Sequence, residues 1–278
     1  MLKLFALASG RSGTTWLAEF FRHNVRGCHS THEPYLQWGN PTLFGRPILW
    51  NALTDDARLL PVIQRKADFI QRVRKPVYFE SNHAVVKAAH RHIPLLAGSE
   101  CGFIHLLRNP KRVAKSELMR EQAIRHAHLP FVDYAEAGGA RHFRWALTGY
   151  ETIFQHFAGQ PLSRYQFYLL QWLEVEKRIE HIITTNGWQG RVFFINVDRQ
   201  LGDAQTLAAM LKFFGLHQRP KLKLDLRANK TPFVGPTNIT DADEAEFQQL
   251  YQALPADYKA LFYRRLHQLA FEHEKHGA

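Results

Sequence analysis

The N-terminal stretch of the chain joins a short apolar segment to a glycine-bearing loop and then to a helical pattern. Leu2–Ala8 is apolar except for Lys3, which is typical of a strand buried on both faces of a parallel sheet. The loop Ser9–Gly13 follows, and from Thr14 the apolar residues recur with the period of a helix. A strand that turns directly into a helix needs further parallel strands beside it, so the chain is predicted to build an α/β sheet.

The rest of the chain alternates strand-like and helix-like segments, as βαβ units require. We therefore predict an α/β fold of three layers, with a central parallel sheet between helices, in one domain over residues 1–278. Between residues 120 and 160, where histidines and aromatic residues are frequent, the pattern has no clean period and predicts no element. The predicted strands are Gly27–Thr31, Val77–Glu80, Phe103–Leu107 and Arg191–Val197, and the predicted helices cover about 54–73, 85–92, 110–119, 163–184, 203–214 and 241–273, the last with a break at Pro255.

The chain is strongly basic, and this limits its partners. Lys and Arg total 36 against 25 Asp and Glu, which gives a formal net charge of +11, while apolar residues make up 45% and charged residues 22%. The balance of apolar and charged residues excludes a disordered or collagen-like chain. The charge predicts an anionic partner, which can be a nucleic acid, an anionic membrane surface or a phosphorylated small molecule.

Cysteine content and hydropathy indicate the compartment. The 2 cysteines, Cys28 and Cys101, are too few for a disulfide framework and indicate a reducing environment. The N-terminal apolar run is shorter than the core of a signal peptide, and no later run is long enough to cross a membrane. We therefore expect a cytoplasmic protein with no membrane span.

The loop between the first strand and the first helix has the composition of a phosphate-binding loop. Gly10 and Gly13 allow the backbone to turn its N–H groups inward, and the following helix places its positive end beside them. The Ser-Gly-Thr-Thr run after Arg11 adds hydroxyl donors. A plain tight turn would also contain glycine and capping residues, but it needs neither an arginine at its apex nor this run of hydroxyl residues. The loop therefore predicts phosphate binding.

This loop departs from the pattern of nucleotide triphosphatases. Their G-x-x-x-x-G-K-[ST] motif places a lysine directly after the last glycine, where this chain has Thr14 and carries its cation earlier, at Arg11. The lysine of that motif serves a γ-phosphate with Mg²⁺ beside it, and Glu80 is the single carboxylate at the end of a predicted strand that would suit the metal. A P-loop NTPase-like fold is expected, but a kinase-like ATP phosphotransferase is the alternative function rather than the main one.

Two motifs resemble those of sulfotransferases that use 3′-phosphoadenosine 5′-phosphosulfate (PAPS). The segment Ser9–Trp16 resembles their 5′-phosphosulfate loop, which carries Lys or Arg and then Ser-Gly-Thr-Thr, often followed by Trp. Arg108-Asn109-Pro110, with Ser116 eight residues after the arginine, resembles their 3′-phosphate site. The resemblance covers about the first two fifths of the chain. It implies a sulfotransferase that needs no metal and moves the sulfuryl group of PAPS, by in-line displacement, to a hydroxyl of a carbohydrate or of a small alcohol or phenol.

The resemblance also assigns residues to the donor. Arg11 would stabilise the negative charge that develops on the leaving nucleotide. Tyr165 would contact the adenine, although an aromatic residue on a core helix is an equal interpretation, and Asn229 and Lys230 would add contacts to the 3′-phosphate. The other implied residues are Gly10, Arg11, Ser12, Gly13, Thr14 and Thr15 for the 5′-phosphosulfate, Trp16 for the adenine, and Arg108 and Ser116 for the 3′-phosphate.

Sulfuryl transfer to a hydroxyl also needs a general base, and two residues that follow predicted strands are candidates. Glu33, in His-Glu-Pro-Tyr, resembles the Glu-Pro after the second strand of carbohydrate-type sulfotransferases. His83 resembles the histidine of the Lys-Thr-His that follows the third strand in phenol and alcohol sulfotransferases, although Ser81 stands in the place of that lysine. Each residue could instead cap a turn or a helix. We favour Glu33 and keep His83 as the alternative.

Other functions are predicted less well. His29–Glu33 contains two histidines and a glutamate, but neither this spacing nor the pairs His90/His92 and His126/His128 fits a zinc motif, so no metal site is predicted. The sequence has no aromatic-basic RNA-binding pattern and no helix–turn–helix signature, so no nucleic acid partner is predicted. Aromatic residues that suit a sugar or a phenol equally are expected to shape the acceptor pocket: Tyr35, Trp38, Phe44, Trp50, Phe131, Tyr134 and Trp145.

Overall fold

A computed structural model describes residues 1–34, 39–43, 48–128, 132–135, 139–226 and 237–271. Strands and helices alternate along most of this part of the chain. The strands are Leu2–Leu7 (β1), Cys28–His32 (β2), Val77–Ser81 (β3), Cys101–Leu107 (β4), Asp133–Ala135 (β5), Arg141–Phe143 (β6) and Val192–Asn196 (β7). The helices are Thr14–Asn24 (α1), Ile48–Thr54 (α2), Asp56–Arg72 (α3), His83–Ala89 (α4), Ile93–Ala97 (α5), Pro110–His126 (α6), Thr152–Gln155 (α7), Arg164–Thr185 (α8), Val197–Gln200 (α9), Ala204–Phe213 (α10), Asp241–Ala253 (α11) and Ala256–Phe271 (α12).

Five of the strands form one parallel sheet in the order β2-β3-β1-β4-β7. β1 lies in the centre, and every residue of β3 and β4 is buried. The chain continues from β1 to one side of the sheet and returns to the other side at β4, and such a reversal leaves a crevice at the carboxyl ends of the strands. β5 and β6 pair separately as an antiparallel hairpin. The predicted α/β fold with a central parallel sheet is confirmed.

Helices cover both faces of the sheet, because alternate residues of each buried strand point to opposite sides. Phe5 and Leu7 pack in a core with α2 to α5 and part of α8, whereas Leu4 and Ala6 pack in a second core with α1 and α10. A third apolar cluster joins α6, α8, α11 and α12. The arrangement is the three-layer one that the alternation of elements predicts, with α8 shared between two clusters.

The structure corrects several predicted boundaries. The helix expected over 85–92 is α4, which ends at Ala89, and a 3₁₀ turn leads from it to α5, whose first turn accommodates Pro94. α6 runs beyond the expected end at Met119, because Arg125 in its last turn pairs with Asp133 of β5 at 2.7 Å. The break at Pro255 is confirmed by the gap between α11 and α12. Within the ranges above, no helix has both the length and the apolar character needed to span a bilayer.

Candidate active site

The glycine loop (Ser9–Thr15) leaves the carboxyl end of the central strand in a conformation that requires its glycines. Gly10 and Gly13 have φ angles of 94° and 76°, in the left-handed region, and Arg11 between them has a φ of 52°. A Cβ on Gly10 would lie 2.6 Å from Glu117 Oε1, and one on Gly13 would lie 2.1 Å from a methyl group of Leu201. No side chain caps the start of α1. The first backbone N–H groups of the helix are therefore available to an anion.

The two motifs that the sequence singled out meet at Arg11. Its Nε donates to Ser116 Oγ at 2.9 Å, and its backbone carbonyl accepts from Arg108 Nη1 at 2.8 Å. Residues about one hundred positions apart are thus joined by two direct hydrogen bonds. Burial lowers the pKa of Arg11 from its ordinary value, while Glu117 opposes that effect, and an arginine guanidinium stays charged in proteins. The result is a fixed positive charge in the glycine loop.

A cavity of about 450 Å³ lies beside Arg108. Its walls are Arg108, Arg112 and residues 237–239, which precede α11. Asp198 holds both arginines, since its Oδ1 is 3.2 Å from Arg108 Nε and 3.2 Å from Arg112 Nη1. Sequence reasoning missed Arg112, which lies in the first turn of α6, while Arg108 precedes the N-cap of that helix. The cavity has the size and the charge to accept one phosphate group.

The hydroxyl groups at the start of α1 are tied to the neighbouring strands. Ser81 Oγ donates to the Thr14 carbonyl at 2.7 Å, and Thr15 Oγ1 lies 2.8 Å from His32 Nε2. His32 Nδ1 lies 2.8 Å from the Ser81 carbonyl, which can only accept, so Nδ1 is the donor. In neutral His32, Nε2 is then the acceptor and Thr15 donates to it. Trp16, on the same helix, stacks on Phe20 with ring centroids 5.6 Å apart.

The two candidate bases are in contact. His83 Nε2 lies 3.1 Å from Glu33 Oε1, although the residues follow different strands. The Glu33 side chain is 19% exposed and that of His83 is 2% exposed, so Glu33 is the member that faces solvent. Glu33 also has a φ of 38°, which is unusual for a residue with a side chain and is typical of functional sites. The alternatives that the sequence left open are two parts of one arrangement.

The surroundings lower the pKa values of both residues. The lower pKa favours the charged form of Glu33 and the neutral form of His83. Burial on its own raises the pKa of Glu33, but His83, His32 and Arg120 outweigh it and hold the value at about 2. Burial lowers the pKa of His83, and Lys87 adds to this, although Glu33 opposes it. Near neutral pH, Glu33 is therefore ionised and accepts the proton of a neutral His83 Nε2–H group.

Three charged residues behind the glycine loop carried no sequence signal. Glu117 is buried, its Oε1 has no hydrogen-bond partner among the described residues, and its Oε2 is 3.7 Å from Arg120. Arg120 lies over the ring of Trp145, with its Cζ 4.5 Å from the ring centroid. Lys87 donates to the Trp145 carbonyl at 2.6 Å, and burial lowers its pKa to about 8. They are single residues on α4 and α6, where no motif distinguishes them from surface charges.

Other predicted residues lie elsewhere. Tyr165 is 2% exposed and packs in the apolar cluster of α6, α8, α11 and α12, which favours its interpretation as a core residue. Asn229 and Lys230 lie outside the described residues, as do Tyr35, Trp38, Phe44 and Phe131. Trp50 and Tyr134 both contact the ring of His142, at centroid distances of 6.1 and 5.2 Å. In the described part of the chain, no group of three or more His, Cys, Asp or Glu residues could hold a metal ion.

Comparison with known proteins identifies the family and the fold of the chain. The profile of the sulfotransferase domain family matches residues 3–183. The sulfotransferase domain of the Synechococcus PCC 7002 olefin synthase shares the fold, with 15% identity and a TM-score of 0.50 over 98% of this chain and 94% of that chain. So does the sulfotransferase domain from the curacin biosynthetic pathway, with 15% identity and a TM-score of 0.51 over 97% of each chain. A comparison with curated proteins gave no match. The matched region is more than half of the chain and holds both phosphate motifs and the Glu33–His83 pair; the chain belongs to the sulfotransferase domain family.

Proposed function

We propose that the protein transfers a sulfuryl group from PAPS to a hydroxyl of an acceptor. The observation that carries the proposal is the contact between the two motifs, in which Arg11 bonds to Ser116 and accepts from Arg108. A donor with a phosphosulfate at one end and a phosphate on the sugar needs two anion sites in fixed relation. The glycine loop and the cavity beside Arg108 supply two such sites next to one another.

Arg11 and the start of α1 act on the leaving side of the reaction. As the bond between sulfur and the bridging oxygen of the 5′-phosphate breaks, negative charge collects on that oxygen. We infer that the guanidinium of Arg11 and the uncapped backbone N–H groups at the start of α1 stabilise this charge, since groups arranged in advance stabilise a transition state more than a ground state. The described residues bring no metal cluster to this position.

Glu33 acts on the attacking side. The acceptor oxygen forms the new bond to sulfur, and its proton passes to the Glu33 carboxylate, the more exposed member of the pair. A pKa of about 2 makes Glu33 a weak base toward a free alcohol, but the hydroxyl becomes strongly acidic as its oxygen bonds to sulfur. The proton is therefore taken late in the transfer. His83 donates from Nε2 to Glu33 and holds the carboxylate in place.

The acceptor class proposed is a carbohydrate hydroxyl, with small alcohols and phenols as the alternative. The support is Glu33 itself, since the resemblance associates a glutamate after the second strand with carbohydrate acceptors. The aromatic rings of Trp50 and Trp145, both partly buried against the core that contains Phe5 and Leu7, suit stacking on a sugar or a phenol and do not separate the two classes.

A kinase-like phosphotransferase is less well supported by the charges at the site. Glu80, the carboxylate that would suit Mg²⁺, is buried and forms an ion pair with Lys66 at 2.7 Å. The deciding experiment follows ³⁵S from labelled PAPS into a panel of oligosaccharides, phenols and simple alcohols, with γ-labelled ATP and Mg²⁺ in parallel. Sulfur transfer to one acceptor class supports the proposal. Phosphate transfer from ATP with no sulfur transfer would replace it with the kinase function.

A further inference from the structure

A lysine and a glutamate form an ion pair in the core of the protein, next to the proposed base. Lys66 on α3 and Glu80 on β3 both have side chains with no exposed surface, and their Nζ and Oε2 atoms are 2.7 Å apart. The Tyr78 hydroxyl donates to the same carboxylate oxygen. Burying two charges costs free energy that their attraction barely repays, so such a pair is weak evidence of a stabilising role. The contacts of the Lys66–Glu80 pair indicate a role other than stabilisation.

One branch of this pair leads to His83. Glu80 Oε1 accepts from Asn82 Nδ2 at 2.9 Å, and Asn82 Oδ1 accepts from the backbone N–H of Ala84 at 3.0 Å. Asn82 is therefore the N-cap of α4, with its amide orientation fixed by Glu80. His83 is the first residue of that helix. The direction of its side chain depends on how the first turn of α4 is held.

The other branch leads from Lys66 to Asn40. Lys66 Nζ donates to Asn40 Oδ1 at 2.6 Å, and Asn40 is buried although it lies in a loop. The backbone of Glu33 itself is anchored to the same strand end, since its N–H bonds to the Ser81 carbonyl at 3.4 Å. A residue held at a positive φ, as Glu33 is, persists only where its surroundings fix it.

We propose that the Lys66–Glu80 ion pair is a positioning device that keeps Glu33 and His83 in contact. Asn40 holds Lys66 at one end of the pair, and at the other end Glu80 holds Asn82, the cap of the helix that begins at His83. Neither Lys66 nor Glu80 touches the reacting atoms. The inference rests on the proposed function for its catalytic consequence. The physical statement, that the pair sets the Glu33–His83 contact, can be tested without any activity.

The sharpest variant is Asn82→Ser. Serine is as good an N-cap as asparagine, so α4 keeps its cap, but the hydrogen bond to Glu80 is lost. We expect kcat to fall between about 10-fold and 100-fold, because small displacements of catalytic groups have effects of that order. The Kd for 3′-phosphoadenosine 5′-phosphate (PAP), the product nucleotide, should change less than about twofold, since no donor-binding residue is altered.

The matched control is Asp55→Ser, the same kind of cap exchange at the start of α3, where Asp55 accepts from the Arg58 N–H. It should leave kcat unchanged. Asn40→Ala tests the second branch independently and should lower kcat as well. Both asparagine substitutions leave the buried charges paired, so they avoid the misfolding that a lone Lys66 or Glu80 would cause.

The ¹H–¹⁵N NMR signal of the His83 ring distinguishes a positioning role from a purely structural one, because a purely structural role would leave that signal unchanged. In the unaltered protein its Nε2 proton is expected downfield, as in a hydrogen bond to a carboxylate. The inference predicts that this signal shifts or is lost in Asn82→Ser and persists in Asp55→Ser. An unchanged signal and unchanged kcat in both asparagine variants would overturn it. If the protein transfers no sulfuryl group, the proposed function fails, and the ring signal still decides the positioning role.

Discussion

The proposed 3′-phosphate site predicts that the protein distinguishes nucleotides by that phosphate. AMP lacks that phosphate and PAP has it, so the pair of ligands isolates the contribution of the two residues proposed to bind it, Arg108, which lines the cavity, and Ser116. Arg108 already donates from Nε to Asp198 and from Nη1 to the Arg11 carbonyl. On binding the phosphate it would replace its ionic contact with Asp198 by one with the phosphate. Ser116 Oγ accepts from Arg11, which leaves its own proton to donate.

The magnitude follows from these contacts. A hydrogen bond to a charged group contributes about 1.5–3 kcal/mol, and we take the lower figure for Arg108 and for Ser116, which together give about 3 kcal/mol. A difference of about 3 kcal/mol is roughly a 150-fold preference for PAP over AMP. At a PAP concentration of about 100 times Kd, the protein should gain about 2.7 kcal/mol. For a chain of this length, with an unfolding entropy of about 2.1 cal/mol/K per residue, that is a rise in Tm of about 5 °C.

The assay is thermal unfolding with each ligand, followed by calorimetric titration. Arg108→Ala should reduce the preference for PAP to about 10-fold or less, because a single hydroxyl contact then remains. Arg22→Ala, which removes an exposed arginine that pairs with Glu19 on α1, is the matched control and should keep the full preference. Equal stabilisation of the unaltered protein by AMP and by PAP would refute the 3′-phosphate site, and with it PAPS as the donor.

Three further outcomes are expected. Arg11→Ala should lower kcat by about 10²-fold or more while PAP still binds, because its charge acts on the leaving oxygen; single-turnover kinetics with normal kcat would disprove that role. Glu33→Gln should also lower kcat by about 10²-fold or more and His83→Asn by much less, and the reverse order would transfer the base role to His83. In the unaltered protein kcat/KM should show no midpoint between about pH 6 and 7, because the pKa of Glu33 is held at about 2 and burial lowers that of His83, so a midpoint in that range would contradict both pKa shifts. Gly13→Ala should destabilise the protein by about 1–3 kcal/mol in urea unfolding, and a second change, Leu201→Ala, should recover the steric part but not the part due to the φ of 76°.

The sequence was informative where local pattern and chemistry coincide. β1, the glycine loop and α1 were predictable because an apolar strand, two glycines and a helical period follow one another directly. The contact of Glu33 with His83 was not, since it depends on β2 and β3 lying side by side in the sheet. Nothing in a single sequence indicates that order of strands. The two residues therefore had to be treated as alternatives.

Single charged residues on helices were beyond sequence reasoning for a related reason. Lys66, Lys87 and Glu117 are buried, yet each is a charged residue on a helix, for which an exposed position is the normal expectation. Only the packing of α3, α4 and α6 against the sheet reveals that they are enclosed. Tyr165 shows the converse: its place in the core could be argued from the helical period, and the resemblance alone favoured an adenine contact.

The packing of Leu201 against Gly13 has a consequence for any attempt to produce a shorter form of the protein. The family match ends at residue 183, inside α8. Beyond that point in the chain, Leu201 packs beside Gly13 and Asp198 forms an ion pair with Arg108. Residues 237–239, later still in the chain, line the cavity beside Arg108. A recombinant fragment cut at the end of the recognisable homology would lose the edge strand β7 and three of the five residues that line the cavity beside Arg108. The boundary of similarity is therefore not a boundary at which this chain can be divided.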